Sequence, residues 1–410
     1  MGHDAYRRGA NEVTAEAEGE RLGRSGDTMR RYNLSTVLTL AHHEGSLSRS
    51  RLTRVTGLNR STIADLIAEL ARCNLVVESG PSRSNRVGRP SPQVAPDPHV
   101  VAFAVNPEID AITVGVVGLG AKMVARVRRA TGSVPSVAEA VEITAAVVAE
   151  LRAELGESYR VVGIGVAVPG LVRRGDGLVR LAPHLGWVDE PVADLLAAAT
   201  GYPVVAGNDA SLGANAELLF GAGRGVRDLI YLNGGASGIG GGVIVDGTPL
   251  RGVEGYAGEF GHTLVTDRDV QDAAGSRGSL ETEVNRDNLL AVLGLQHPDP
   301  DQLEDALIAS RTPQVRTEVR RQLDFLGIAL RNAVVIVNPE LIVLGGFLGA
   351  LFAADGEYLT AQVARQTLAP AVASMRMARA KLGSDILMIG AAELAFAPLL
   401  MDPAGSIGAS

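Results

Sequence analysis

Beyond residue 98 the sequence alternates short apolar runs with longer segments of helical periodicity, and this alternation limits the possible fold more than any other feature. Apolar runs of strand length occur at 100–105, 112–117, 161–168 and 226–232. Segments with the apolar spacing of helices occur at 138–155, 192–199, 211–220, 280–293, 315–337 and 349–368. Strands that alternate with helices predict an α/β domain whose sheets are covered by helices.

The 410 residues exceed what one ordinary core accommodates, so we expect a small domain followed by a larger one that divides into lobes. Residues 1–26 mix charges and glycines without an apolar stretch, which predicts a disordered segment rather than a signal peptide. We place the small domain at 27–97 and the large one at 98–410.

The sequence has no uninterrupted apolar run long enough for a membrane span, and its one cysteine, Cys73, excludes an intrachain disulfide and a cysteine-based zinc cluster. We therefore expect a cytoplasmic protein.

Charge is distributed unevenly between the two predicted domains. Residues 27–97 carry ten arginines and six acidic residues, whereas residues 98–410 carry 24 basic and 35 acidic residues. Positive charge neutralises phosphates and supplies most of the sequence-independent affinity for nucleic acid. The small domain is therefore the candidate for DNA binding, and the acidic large domain is not.

Residues 32–72 have the pattern of a helix-turn-helix. Apolar spacing predicts a first helix at 32–42, Ser48 can cap a short second helix, and Gly57 permits the turn before a third helix that starts near Asn59. The core-facing positions of this third helix are Ile63, Leu66, Ile67 and Leu70. The outward positions in its first turn, where a recognition helix contacts bases and phosphates, are Arg60, Ser61 and Thr62.

A short strand at 75–78 and a Gly, Pro and Ser-rich segment with three arginines follow the third helix. These arginines, at the tip of a predicted β-hairpin wing, are Arg83, Arg86 and Arg89. Guanidinium groups at such a tip suit the DNA backbone or the minor groove. The pattern is also compatible with a small helical bundle that carries a basic linker.

Two polar motifs of the large domain suit a sugar ligand. Asn208 and Asp209 precede the helix at 211–220, where either can be its N-cap or Asp209 can be a general base for a sugar hydroxyl. In GVEGYAGEFGH, Glu259 and His262 are three residues apart and can face one ligand, and Glu281 is a further candidate. Glu259, His262 and Glu281 are each equally compatible with a surface charge.

The glycine run at 234–242, between two apolar strands, suits either a phosphate-binding turn or a tight turn.

In combination, these segments resemble the ROK family of repressors, open reading frames and sugar kinases, in particular its transcription regulators. The resemblance covers residues 30–395 and includes VAVPGLV, LAPHLGW, GNDASLGANAELLFGAG, GASGIGGGVIVDG, GYAGEFGH and NPELIVLGG. It implies a winged helix-turn-helix before a two-lobed, actin-like and ribonuclease-H-like sugar-kinase domain. It also implies sugar ligands at Asn208, Asp209, Glu259, His262 and Glu281, with Asp209 as the base of an active kinase.

The sequence departs from the family pattern at two sites. Family kinases have an Asp-x-Gly-x-Thr phosphate turn, and the corresponding residues 106–110 are Asn, Pro, Glu, Ile and Asp. Carboxylates at 108 and 110 repel a triphosphate, so we expect neither ATP binding nor kinase activity. The family's zinc cysteines align with Asp272, Ala274 and Ser279, which leaves too few ligands for a structural zinc, and we expect none.

We therefore expect a catalytically inactive homologue of sugar kinases that acts as a transcriptional regulator. Its expected partners are a double-stranded DNA operator, a sugar effector and at least one further copy of the chain, because a two-fold operator requires two modules. An ATP-dependent sugar kinase with an accessory DNA-binding module is the alternative.

Overall fold

The computed structural model describes residues 27–80, 91–296, 300–365 and 367–405. The described residues form two compact units: one comprises those up to Val100 together with those from Phe396 onward, and the other those from Val101 to Ala395. The predicted boundary at residue 98 lies close to this division, but the contacts assign the C-terminal residues to the first unit. One reason is that Phe396 packs against His42, with ring centroids 5.5 Å apart.

The N-terminal unit is a winged helix-turn-helix, as predicted. Its elements are α1 (27–44), β1 (Leu47–Ser48), α2 (Arg49–Thr56), α3 (Arg60–Arg72), β2 (Val76–Ser79) and β3 (Gln93–Pro96). The three strands form one sheet in the order β1-β3-β2, and both strand pairs are antiparallel. Local capping explains the helix bounds: Ser48 caps α2, Gly57 ends it at φ 71°, and Asn59 caps α3.

The second unit contains two five-stranded sheets with the same strand order. The first lobe contains β4 (Val100–Pro107), β5 (Ala111–Gly118), β6 (Lys122–Ala130), α4 (Val137–Leu155), β7 (Arg160–Val168), β8 (Leu171–Val172), β9 (Val179–Ala182), β10 (Trp187–Glu190), α5 (Val192–Thr200) and β11 (Val204–Asn208). Its main sheet has the order β11-β7-β4-β5-β6, and β8, β9 and β10 form a separate small sheet.

The second lobe repeats this arrangement. Its elements are α6 (Asp209–Phe220), β12 (Leu229–Gly235), β13 (Gly238–Val245), β14 (Thr248–Pro249), α7 (Leu280–Glu283), α8 (Arg286–Leu293), α9 (Pro300–Ala309), α10 (Pro313–Val337), β15 (Leu341–Gly345), α11 (Gly346–Arg365), α12 (Ala369–Val372), β16 (Arg376–Arg379) and α13 (Ile386–Met401). Its sheet has the order β14-β13-β12-β15-β16. Each strand corresponds in chain order to a strand of the first sheet when that sheet is read from β6 to β11. This duplicated ribonuclease-H-like order confirms the predicted fold class.

Three apolar clusters hold the second unit together. Val147 and Leu196, from α4 and α5, belong to the cluster that covers the first sheet. Leu326 and Leu348, from α10 and α11, belong to the cluster on one face of the second sheet. The other face of the second sheet packs against α6 and α13.

Helix α13 combines a membrane-like composition with a buried position. The stretch Gly383–Met401 is long and apolar enough to cross a membrane, but 56% of it is buried inside the protein. Close approach of its backbone to strand β7 requires a glycine, because a Cβ at Gly165 would lie 1.8 Å from the carbonyl oxygen of Ala391. Its composition is therefore that of a core helix, which is hydrophobic all round.

Candidate functional site

The first turn of α3 presents the polar residues predicted to contact DNA. Arg60 and Ser61 are exposed and Thr62 is partly buried. The Asn59 carboxamide accepts hydrogen bonds from the Thr62 backbone N–H at 2.8 Å and from the Ser61 hydroxyl at 2.7 Å. Ser61 therefore also stabilises the helix N-terminus, whereas the Arg60 guanidinium is presented to solvent beside it.

Ion pairs fix α3 and its neighbours in the unit. Arg49 of α2 donates two hydrogen bonds to Glu78 of β2, at 2.5 and 2.6 Å, and Arg30 of α1 pairs with Glu69 of α3. These arginines therefore have a structural role. The predicted wing residues Arg83, Arg86 and Arg89 lie outside the described residues.

Asn208 and Asp209 lie at the junction of β11 and α6. Asn208 is the N-cap of α6: its side-chain oxygen accepts from the Ser211 N–H at 2.8 Å, and its amide donates to the Gly170 carbonyl at 3.0 Å. Asp209 is the first helical residue and accepts from the Ala210 N–H at 2.7 Å. The sequence left the capping role open between these two residues, and the structure assigns it to Asn208. Because only one Asp209 oxygen accepts from Ala210, the second oxygen remains available to a ligand.

Glu259, His262 and Glu281 belong to the segments that follow β13. His262 ends a short 3-10 turn, Phe260–His262, and Glu281 lies in α7. The Nδ1 atom of His262 is 3.7 Å from the Glu281 carboxylate and 2.9 Å from that of Asp272. Glu281 also accepts from the Ile239 N–H at 3.4 Å, which ties α7 to the start of β13.

Electrostatic interactions link all four ionisable members of this set. Burial raises the pKa of Asp209 to about 7, the Ala210 hydrogen bond opposes the rise, and the charge of Glu259 adds to it. Burial also raises the pKa of Glu259 and of Glu281, against the opposing charge of His262. Burial lowers the pKa of His262, but the hydrogen bond with Asp272 and the charge of Glu281 outweigh it and raise that pKa. The structure thus brings together three carboxyls and an imidazole, a donor and acceptor set that suits adjacent hydroxyls.

The glycine run forms the hairpin between β12 and β13, and three of its glycines serve close packing. A Cβ at Gly240 would lie 2.6 Å from the Ala210 Cβ, one at Gly242 would lie 2.5 Å from the Ala214 Cβ, and one at Gly241 would lie within 3 Å of Phe260. These glycines let α6 and the His262 turn approach the sheet. They therefore position the site, and residues 236–237 of the run form the tight turn of the hairpin.

The charge of the turn that aligns with the kinase phosphate turn is partly neutralised from within the protein. Arg128 of β6 donates to Glu108 at 3.2 Å and to Asp110 at 2.7 Å, and the Thr113 hydroxyl donates to Glu108 at 2.6 Å. Asn106 is buried, and its side-chain oxygen accepts no hydrogen bond. Two carboxylates and a guanidinium that already pair with one another are poorly suited to a triphosphate and its metal.

Two residues near these sites were missed by the sequence analysis. Arg128 comes from β6, an edge strand whose alternation with charged residues gave no apolar run. His184 lies beside the hairpin, since its Nε2 atom would be 3.5 Å from a Cβ at Gly238, and its charge lowers the pKa of Glu281. The LAPHLGW motif contains His184 and was the available signal.

Residues 105–397 match the model of the ROK family. The chain is 27% identical over 353 residues to a xylose repressor of Caldicellulosiruptor bescii, covering 79% of this chain and 86% of that protein. A ROK family transcriptional regulator described as a homologue of the E. coli MLC protein superposes with a TM-score of 0.76 at 21% identity, over 92% of this chain and 99% of that one. A ROK family glucokinase from Streptomyces griseus, solved with glucose and AMPPNP, superposes with a TM-score of 0.60 at 25% identity, over 72% and 98%.

The family model covers more than half of the chain, and its match begins within β4 of the first lobe and ends within α13. The matched region therefore includes the second sheet, the first sheet apart from the start of β4, and every candidate sugar-site residue. This chain belongs to the ROK family.

Proposed function

We propose that this protein is a sugar-responsive transcriptional repressor. The observation that carries the proposal is the presence, in one chain, of a winged helix-turn-helix, a polar set suited to a sugar, and an acidic turn, paired with Arg128, in place of the phosphate turn. The xylose repressor among its relatives supports the same function and makes D-xylose the first effector to test.

In this proposal the sugar acts as an effector and no phosphoryl group is transferred. A dimer binds a two-fold operator in the cytoplasm, and sugar binding changes the closure of the two lobes and thereby the affinity for DNA. Asn208, Asp209, Glu259, His262 and Glu281 hold the sugar, and neither ATP nor a structural zinc takes part.

D-Xylose or another sugar that binds is expected to weaken operator binding by roughly tenfold or more, which corresponds to a typical allosteric coupling free energy. An operator is first selected from a random-sequence duplex library with the full chain. Gel shifts with and without D-xylose, D-glucose and N-acetylglucosamine then give the DNA affinity, and calorimetry identifies the sugars that bind. An operator affinity that is indifferent to every sugar that binds contradicts the effector role.

The alternative function, a sugar kinase, is favoured by the glucokinase structure in the comparison and by the presence of Asp209. We expect no sugar-dependent release of ADP, because the turn at 106–110 opposes triphosphate binding. A coupled ADP assay, with an active ROK glucokinase as the positive control, measures this. ADP release that requires sugar and disappears in Asp209→Asn establishes the kinase instead.

A further inference from the structure

Asp272 is the most heavily hydrogen-bonded side chain of the loop that leads to Glu281. One carboxylate oxygen accepts from His262 Nδ1 at 2.9 Å. The other accepts from the backbone N–H groups of Ala274, at 3.0 Å, and Ser276, at 2.8 Å. The carboxylate is only 1% exposed although the loop around it is largely exposed. A buried carboxylate with three donors in this arrangement fixes both the loop and the histidine ring.

The positions that correspond to the family's zinc ligands do not fit a zinc ion in this chain. They are His262, Asp272, Ala274 and Ser279. Ala274 has no ligand atom, the neutral Ser279 hydroxyl is a poor zinc ligand, and the two remaining groups bond to each other. A structural zinc site uses four nitrogen, sulfur or carboxylate ligands from the protein. Even with Glu281, which approaches the same Nδ1 atom at 3.7 Å, there are only three.

We propose that Asp272 is a positioning residue of the sugar site, which orders the loop without a metal and fixes the proton of His262 on Nδ1. This inference rests on the proposed sugar-binding function of His262. An ionised carboxylate only accepts hydrogen bonds, so the Nδ1 atom facing it carries a hydrogen. The neutral ring then offers the Nε2 lone pair as an acceptor for a sugar hydroxyl.

The substitution Asp272→Asn reverses this arrangement with almost no change in shape. A carboxamide has one accepting and one donating group. If its oxygen keeps the Ala274 and Ser276 bonds, its nitrogen faces Nδ1, and the neutral ring moves its proton to Nε2. Sugar affinity is then expected to fall roughly 10- to 100-fold, as is typical when a residue that orients a histidine is changed. Operator affinity without sugar is expected to stay unchanged.

Two measurements on the full chain test the proposal. Nitrogen-15 NMR of labelled histidine reports which ring nitrogen carries the proton, at a pH where the ring is neutral and with His262→Gln to assign its signals. Calorimetry with D-xylose and the other panel sugars reports the affinity. The matched control is Asp269→Asn, three residues earlier in the same loop, because Asp269 is 74% exposed and pairs only with the surface residue Arg277 among the contacts described.

A proton on Nδ1 in the native chain, its transfer to Nε2 in Asp272→Asn and no change in Asp269→Asn are the expected results. An unchanged tautomer with unchanged sugar affinity in Asp272→Asn overturns the proposal. Tight stoichiometric binding of zinc chloride, with loss of sugar binding after chelation, also overturns it. If no sugar binds the native chain, the proposed function fails separately, and the tautomer still decides whether Asp272 positions His262.

Discussion

Asp209→Asn is expected to weaken sugar binding and, at the same time, to stabilise the sugar-free protein. The folded-state pKa of Asp209 is about 7, against 3.8 for an unperturbed aspartate. The native state therefore binds its proton more tightly, so the stability that Asp209 contributes is complete below pH 3.8 and is lost as the pH rises through 7. Asparagine has no charge to bury and can still accept from Ala210.

At pH 8 the free energy of unfolding of Asp209→Asn is expected to exceed that of the native chain by about 1–3 kcal/mol. This is less than the full pKa difference would give, because Asp209 is only partly buried by its surface area. Sugar affinity is expected to fall roughly 10- to 100-fold, since a hydrogen bond to a charged acceptor is replaced by a neutral one. Urea unfolding from pH 4 to 8 and calorimetry with sugar measure the two effects.

Asp194→Asn is the matched control for this experiment. Asp194 also lies in the first turn of a helix, α5, but it is exposed. Its replacement is expected to leave sugar affinity unchanged, and its urea unfolding is followed over the same range, pH 4 to 8. A native chain whose stability does not fall with pH relative to Asp209→Asn in that range contradicts the raised pKa.

Arg60→Ala is expected to reduce operator affinity roughly 10- to 100-fold and to leave sugar affinity unchanged. Arg60 is exposed at the N-terminus of α3, next to a cap formed by Asn59, so its removal takes away a charged DNA contact without exposing the helix end. Gel shifts with the selected operator at several salt concentrations measure the affinity and its salt dependence. A loss that is uniform across operator variants indicates a phosphate contact, and a loss confined to one base pair indicates base reading.

Arg72→Ala provides the control on the same helix. Arg72 is exposed in the last turn of α3, about 18 Å from Arg60 along the helix axis. The same side chain is removed from the same helix, so a general loss of positive charge affects both variants equally. Equal losses of affinity in the two variants show that α3 does not contact DNA through its first turn.

The parts of the fold that depend on local chemistry were predictable from the sequence. Ser48 caps α2 and Gly57 permits the turn that follows it, as predicted, and α3 starts at the predicted place, where Asn59 is its N-cap. The helix predicted at 280–293 is instead divided into α7 and α8. The reason is again local but was overlooked: Asn285 accepts from the Asn288 N–H at 3.0 Å and starts a new helix.

Other elements are determined by distant packing. Helix α13 has no amphipathic pattern because its sides are covered by both lobes, as the contacts of Gly165 and Ile389 show. Strand β6 alternates between partly buried and exposed residues, and arginines occupy many of the exposed positions. Neither pattern identifies the elements against which α13 and β6 pack, so their positions become visible only in the folded chain.

The candidate site likewise has features that were predictable from the local sequence and features that depend on distant packing. Its five predicted residues could be listed because they follow strand ends and glycine-rich turns, but their mutual effects on pKa depend on the fold. The pairing of His262 with Asp272 spans ten residues of irregular loop, and the pairing of Arg128 with Glu108 joins two strands of the first sheet. Residue types alone predicted that the zinc ligands are missing and that the turn is repulsive; the contacts add that Asp272 accepts from His262 and that Arg128 pairs with Glu108.

The pairing within the turn at 106–110 means that its two acidic positions are not independent of each other. Glu108 and Asp110 share Arg128, so a substitution to glycine at 108 leaves the guanidinium with only Asp110. The same substitution removes the acceptor of the Thr113 hydroxyl. The effects on stability of substitutions at 108 and 110 are therefore expected to be non-additive, and a double-mutant cycle measures the coupling between them.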